Sequence, residues 1–251
     1  MKARGFTLLE LVIVMVLIGI SAVFGTGFIA QMAESYVGGA ERAQALAGAR
    51  FAMERLRREL AVSYGPSVYI SDSNRCLSFV PALAAGTYTG MAKNNLATFI
   101  KPLSLNNTNI KSSYMAIRAD SGEIEWGDYP AIAPENVYQL EQEPTDNNFV
   151  VSNIFDTPAD IDFRREGLGQ RYTLLKNEQV RYCLRSGDLE REVKSPGKDW
   201  GKTSLMVTGI TGDTVFLGYD WSNQLVQMEL TLSTRDGDLV LPAQLQVTYA
   251  P

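Results

Sequence analysis

From Leu11 to Ala33 the chain carries no charged side chain, a run of 23 residues. As an α-helix, rising 1.5 Å per residue, such a run spans about 34 Å, which is enough to cross the hydrocarbon core of a bilayer. A helix is also the one open structure that satisfies its own backbone there. At the head of the run stands one carboxylate, Glu10, and before it the basic residues Lys2 and Arg4. A carboxylate at the centre of a membrane helix costs roughly 2.5–3.5 kcal/mol. A chain that keeps one there is expected to supply it with a partner.

Two ordinary readings compete for this segment. One is a secretory signal, with Lys2 and Arg4 as its basic region and Gly25-Thr26-Gly27 as a small-residue cleavage site. The other is a plain single-pass anchor. Neither accounts for the series Arg4-Gly5-Phe6-Thr7-Leu8-Leu9-Glu10. That series resembles the cleavage and methylation signature of the type IV pilin-like (pseudopilin) family. The resemblance implies that a prepilin peptidase cuts between Gly5 and Phe6 and methylates the new amine of Phe6. Glu10 then becomes the fifth residue of the mature chain and is implied to act in subunit assembly together with Phe6. Gly27 stands where many major pilins carry a helix-kinking proline.

Beyond Ala33 the helical pattern continues and becomes amphipathic. Leu46, Ala49, Met53, Leu56 and Leu60 recur at spacings of three and four, one face of a helix. Glu54 with Arg58, and Arg55 with Glu59, are opposite charges four apart. Ser63-Tyr64-Gly65-Pro66 ends the pattern, so a helix from about Thr7 to Val62 is expected, roughly 84 Å long. Gly25, Gly27 and the pair Gly38-Gly39 are its weak points, where a bend is expected.

The remainder reads as strands and turns. Val68–Ile70 and Leu77–Val80 flank a turn at Asp72-Ser73-Asn74, and Gln179–Leu184 and Asp188–Val193 flank Ser186-Gly187 as a hairpin. Leu205–Ile210 and Thr214–Tyr219 read as a second hairpin about Thr211-Gly212-Asp213, and Gln227–Leu232 and Gln244–Tyr249 as a pair about Asp236-Gly237-Asp238. Between Pro81 and Tyr172 the chain is rich in Asn, Gly, Pro and Asp, with short strands expected at Tyr114–Ile117 and Asn148–Ile154. A long helix followed by antiparallel meanders is an α+β fold, the sheet burying one face on the helix. The organisation is a leader over 1–5, a transmembrane half of the helix over 6–33, an amphipathic half over 34–62 and a β-rich domain over 63–251. Arg75–Pro81, Tyr172–Leu175, Val180–Leu184 and Gly187–Arg191 resemble minor pilins of the mannose-sensitive haemagglutinin (MSHA) pilus. More loosely they are similar to J-type minor pseudopilins of type II secretion.

Composition narrows the chemistry. Histidine is absent, which removes Ser-His-Asp and Cys-His catalysis and His-containing metal sites. Formal net charge is −5, and loss of Lys2 and Arg4 with the leader leaves 21 basic against 28 acidic side chains, or −7. That balance argues against nucleic acid as a partner. Gly197-Lys198-Asp199-Trp200-Gly201-Lys202-Thr203 has three residues between its glycines where a phosphate-binding loop needs four. Asp146, Asp156, Asp160 and Asp162 offer oxygen ligands to calcium without EF-hand spacing, and Trp126, Trp200 and Trp221 are candidates for a sugar platform. A solvated loop, an acidic loop and core aromatics are the plainer readings of these three, so neither a metal nor a cofactor is expected.

Cys76 and Cys183, 107 positions apart, each fall on an expected strand. Lys2 and Arg4 hold the N-terminus in the cytoplasm and send the domain to the periplasm of a Gram-negative bacterium, where a disulfide forms readily. Two buried free thiols are the alternative. The function expected is that of a structural subunit, not an enzyme: a minor pilin that helps initiate or cap an MSHA-type pilus. Its expected partners are other pilin subunits, the peptidase, the inner-membrane assembly platform and the membrane itself. A type II secretion pseudopilin is the nearest alternative; a carbohydrate-binding tip adhesin and a membrane-anchored periplasmic enzyme are those of another class. If the signature operates, mass analysis of protein from native membranes finds a mature chain starting at Phe6 with a methylated amine. A start near Phe28 establishes the secretory signal instead.

Overall fold

The computed structural model describes residues 7–93, 97–102, 105, 112–140, 148–150, 163–235 and 237–248. Gly5, Phe6, Asp146, Asp156, Asp160, Asp162, Asp236, Tyr249 and the end of the strand expected over 148–154 lie outside them. The chain divides into two compact units. The first carries the N-terminal helix as far as Ala47 together with Thr234–Gly237, and the second runs from Gly48 to Ser233 and resumes at Asp238.

Helix α1, Leu8–Ala61, continues through Gly25, Gly27, Gly38 and Gly39 without interruption. In the first unit its apolar side chains are exposed from Leu8 to Val37, so no protein core claims them. Among the described residues this is one helix long and apolar enough to cross a membrane. Its polar side chains bond to the helix itself. The Ser21 hydroxyl donates to the Leu17 carbonyl at 2.8 Å and the Thr26 hydroxyl to that of Val23 at 3.0 Å, leaving neither donor unpaired in an apolar medium.

In the second unit α1 has two faces. Of the expected stripe, Ala49, Leu56 and Leu60 are buried and Met53 lies at the margin, and Ala52 is buried as well. Truncating either leucine to alanine would cost about 2–5 kcal/mol. The helix also joins the sheet by charge: Arg191 Nε donates to both carboxylate oxygens of Glu59 at 3.0 Å, and Arg55 reaches Glu59 at 3.2 Å.

Three antiparallel sheets follow. A five-stranded sheet has the order β1 (Tyr69–Ser71), β2 (Cys76–Phe79), β9 (Gln179–Arg185), β10 (Asp188–Lys194) and β11 (Gly201–Val207). A six-stranded sheet has the order β6 (Val137–Gln139), β5 (Tyr114–Ala116), β8 (Arg171–Leu175), β3 (Ala82–Thr89), β4 (Thr98–Ile100) and β7 (Asn148–Val150). The third sheet runs β12 (Phe216–Asp220), β13 (Leu225–Thr234) and β14 (Gly237–Gln246), with Pro242 in its edge strand, where a missing N–H is tolerated. A short helix α2, Glu123–Trp126, completes the elements.

The short strands expected at Tyr114–Ile117 and at the start of Asn148–Ile154 form as β5 and β7, and the same segment adds β3, β4 and β6, which were not expected, so it supplies five of the six strands of the second sheet. One expectation needs correction: the hairpin about Thr211-Gly212-Asp213 does not form, because β11 pairs with β10 while β12 pairs with β13 in another sheet. Thr211-Gly212-Asp213 instead links two sheets. The hairpin about Ser186-Gly187 does form, with both residues left-handed at φ 51° and 83°, the twist a two-residue connection needs.

Cys76 and Cys183 face each other across β2 and β9, with Cα atoms 4.2 Å apart, and are joined by a disulfide. Both are buried. The bond closes a loop of more than a hundred residues, for which the chain-entropy model gives about 4–5 kcal/mol. The double substitution Cys76→Ala/Cys183→Ala is expected to lower unfolding stability by about 2–5 kcal/mol, read as a shift in denaturant midpoint for the full chain in detergent. The reduced wild type should match it.

Candidate functional site: the N-terminal motif and the domain it carries

Thr7 precedes the first helical residue. Its Oγ1 accepts from the Glu10 backbone N–H at 3.3 Å, and its carbonyl accepts from the same N–H at 3.1 Å and from Leu11 at 3.3 Å. Thr7-Leu8-Leu9-Glu10 therefore has the spacing of a capping box, a signal that lay in the sequence beside the charge argument. An acid in the first turn of a helix lies in the favourable field of the unpaired N–H groups. Glu10 is exposed, and its carboxylate makes no hydrogen bond or ion pair among the described residues. Local geometry lowers the cost of this carboxylate, and no counter-ion for it is found among the described residues.

The domain, by contrast, neutralises its buried charge internally. Glu192 on β10 is buried and accepts from two guanidiniums of β9. Arg181 donates at 2.8 and 2.5 Å, and Arg185 at 3.0 Å. Arg181 also lies over the ring of Trp200, 4.1 Å from its centroid. Burial alone would raise the Glu192 carboxyl, but bonds from Arg185 and Arg181 outweigh it and hold the group below the ordinary glutamate range. Glu166 behaves alike. Burial raises it, and the Lys93 N–H at 2.9 Å, the Tyr88 hydroxyl at 2.7 Å and the Ala92 N–H at 3.1 Å bring it below that range. The phenols of Tyr64 and Tyr88 are pushed up to about 12, chiefly by burial, so both stay protonated throughout the physiological range; Tyr88 donates to Glu166, and Tyr64 accepts from the Ala119 N–H at 3.2 Å.

The other candidates are not brought into one site. Gly197–Thr203 leads into β11 and not into a helix, and its Lys202 pairs with Glu190 at 2.5 Å. Trp126 is fully buried and donates to the Asp120 carbonyl at 2.8 Å, so it presents no face to a sugar. Trp221 is partly exposed and packs edge-on to Tyr219 at 4.4 Å. Among the described residues no group of three or more His, Cys, Asp or Glu is placed to hold a metal ion.

With this geometry in hand, the comparisons point to one segment. Residues 1–26 match the family model described as the prokaryotic N-terminal methylation motif. No curated protein and no solved structure gives a significant match to the chain. The motif supports a type IV pilin-like or pseudopilin chain, anchored in a membrane by α1, with pilin or pseudopilin subunits and a prepilin peptidase as its partners.

The charge pairs in the domain set its acid response. A carboxylate whose folded pKa is depressed adds stability that is complete above its unfolded pKa, about 4.3, and is lost as pH falls through the folded value. The melting temperature is therefore expected to drop below about pH 4.5. Glu192→Gln should lower it at pH 7 and flatten that acid limb, as differential scanning fluorimetry across pH 3–7 would show.

Proposed function

We propose that this chain is a minor pilin or pseudopilin, a structural subunit that helps to initiate or cap a filament, and that the filament is a pilus of the MSHA type. The carrying observation is the pairing of the methylation motif with an exposed apolar run, Leu8–Ala33, whose one carboxylate, Glu10, has no counter-ion among the described residues. On this reading the subunit sits in the inner membrane with its β-rich domain in the periplasm, is cut between Gly5 and Phe6, and moves through an assembly platform into the filament. It has no catalytic role, in keeping with a chain that lacks histidine. The MSHA assignment draws on the β-strand segments around Cys76 and Cys183. A type II secretion pseudopilin would share the motif, and gene neighbourhood separates the two.

Cleavage creates a positive amine at Phe6. In a filament core the Glu10 of an incoming subunit neutralises the Phe6 amine of its neighbour, in a medium where either charge alone is expensive. Glu10→Ala is expected to leave cleavage and the domain's melting unchanged while filament-associated protein falls about tenfold, the effect of losing roughly 1.4 kcal/mol. Glu10→Gln should resemble alanine if charge is the cause, and wild type if shape is. The readout is sheared-filament protein against membrane-retained protein. Normal incorporation of Glu10→Ala overturns the docking role.

A further inference from the structure

The helix α2 and its flanks form a rigid base for an exposed isoleucine. Trp126 is fully buried, with its ring centroid 5.7 Å from that of Tyr64 and 5.5 Å from that of Tyr129. Gln179 Nε2 donates to the Trp126 carbonyl at 3.1 Å, and Lys194 Nζ to that of Gly127 at 3.0 Å. Arg165 grips Asp120 through two guanidinium nitrogens. On this base Ile124 is 94% exposed. Glu123, Glu125 and Asp128 surround it in sequence, and none has an ion-pair partner among the described residues. A loop pinned this firmly cannot fold its isoleucine inward, and it presents an apolar knob with negative flanks.

The complementary surface lies on α1 of the same chain. Opposite the buried stripe, Arg50, Phe51, Glu54, Arg57 and Arg58 fall within about a third of the helix circumference. Phe51 is 57% exposed. Arg58 is engaged by Glu54 at 2.9 Å, whereas Arg50 and Arg57 are exposed and have no ion-pair partner among the described residues. In a chain of net charge −5 this is an apolar residue with positive flanks.

We infer that the α2 knob of one copy docks on this α1 face of a second copy, with Ile124 against Phe51 and the three carboxylates facing Arg50 and Arg57. The inference rests on the filament reading and deepens it. The two patches differ, so the contact is heterologous and does not close as a twofold dimer does, which lets a second copy stack on the first at the initiating or capping end of a filament. Charge complementarity sets the direction, since the three carboxylates about Ile124 and the two guanidiniums about Phe51 have no ion-pair partners among the described residues.

The test is photo-crosslinking of the full-length chain in its native membrane, from Ile124→p-benzoylphenylalanine. The expected result is a covalent dimer whose adduct maps to Arg50–Arg58 of the second copy. Arg57→Glu should lower the dimer yield about tenfold, and adding Glu123→Lys should restore it. Ile124 and Arg57 are exposed, so neither change removes core packing. An adduct on a different protein, on another part of the second copy, or no dimer at all overturns the proposal, as does failure of the charge swap to rescue. Whether the chain co-sediments with sheared filaments is scored separately and bears on the filament reading alone. A processed, filament-bound chain without the dimer sinks the docking and spares the function.

Discussion

An α1 backbone that satisfies itself is the condition on which the first unit depends. From Leu8 to Val37 its apolar side chains have no protein surface to cover them. In water such a surface would drive association; in lipid it is at rest, provided that no backbone or hydroxyl donor is stranded. Ser21 and Thr26 meet that proviso by bonding back to Leu17 and Val23. Glu10 meets it in part, through its place in a capping turn begun by Thr7. Its backbone is satisfied locally, and its carboxylate has no partner among the described residues. The apolar run therefore suits a membrane, and on the proposed filament reading the single carboxylate of that run is the group a neighbouring subunit would satisfy.

The second unit solves a different problem, which is to hold a half-buried helix against a sheet in water. Leu56 and Leu60 supply the apolar contact, and the Glu59–Arg191 pair fixes which turn of the helix meets β10. Buried Glu192 is paired with Arg181 and Arg185, while half-buried Glu166 accepts from the backbone N–H groups of Ala92 and Lys93. Breaking one partner of such a set costs more than the pair contributes, because the survivor stays buried. The disulfide adds a constraint of another kind. It joins β2 to β9, strands far apart in sequence, at the centre of the five-stranded sheet.

What could be read from the sequence follows from how local each element is. The helix, its buried stripe and the Ser186-Gly187 hairpin depend on residues within a few positions of one another, and all three were legible. The six-stranded sheet was not. Four of its strands are three residues long, too short to show alternation, and β3 pairs with β8 across more than eighty residues of chain. Its β3 also looks unlike a strand because Gly86 lies in it. The reason lies on the partner strand: the Tyr172 ring covers Gly86, and a side chain there would collide with it. The false hairpin at Thr211-Gly212-Asp213 fails for a related reason. Turn residues mark a change of direction without saying which strand comes next. Here Ile210 N–H bonds to the Gly187 carbonyl, while Val215 and Phe216 bond to that of Asn74, so the two sides are claimed by different parts of the fold. The cysteines were legible as candidates, and their register opposite one another was a property of β2–β9 pairing alone.

At the site itself, the sequence displays both the Glu10 charge and, in the Thr7-to-Glu10 spacing, its cap, within the same four residues. The capping reading changes the energetics of assembly. A carboxylate that is poorly placed in the monomer would drive docking by escape from an unfavourable position. One already eased by helix-terminal N–H groups gains less from a partner. On the proposed filament reading, what the partner would then supply is chiefly a choice of position. The same division runs through the domain. Its interior carboxylates are committed to arginines of their own chain, while the carboxylates about Ile124 and the guanidiniums of Arg50 and Arg57 are left for water or a neighbour. Internal pairing stabilises the subunit, and the unpaired charges outside it are those that can select how subunits meet.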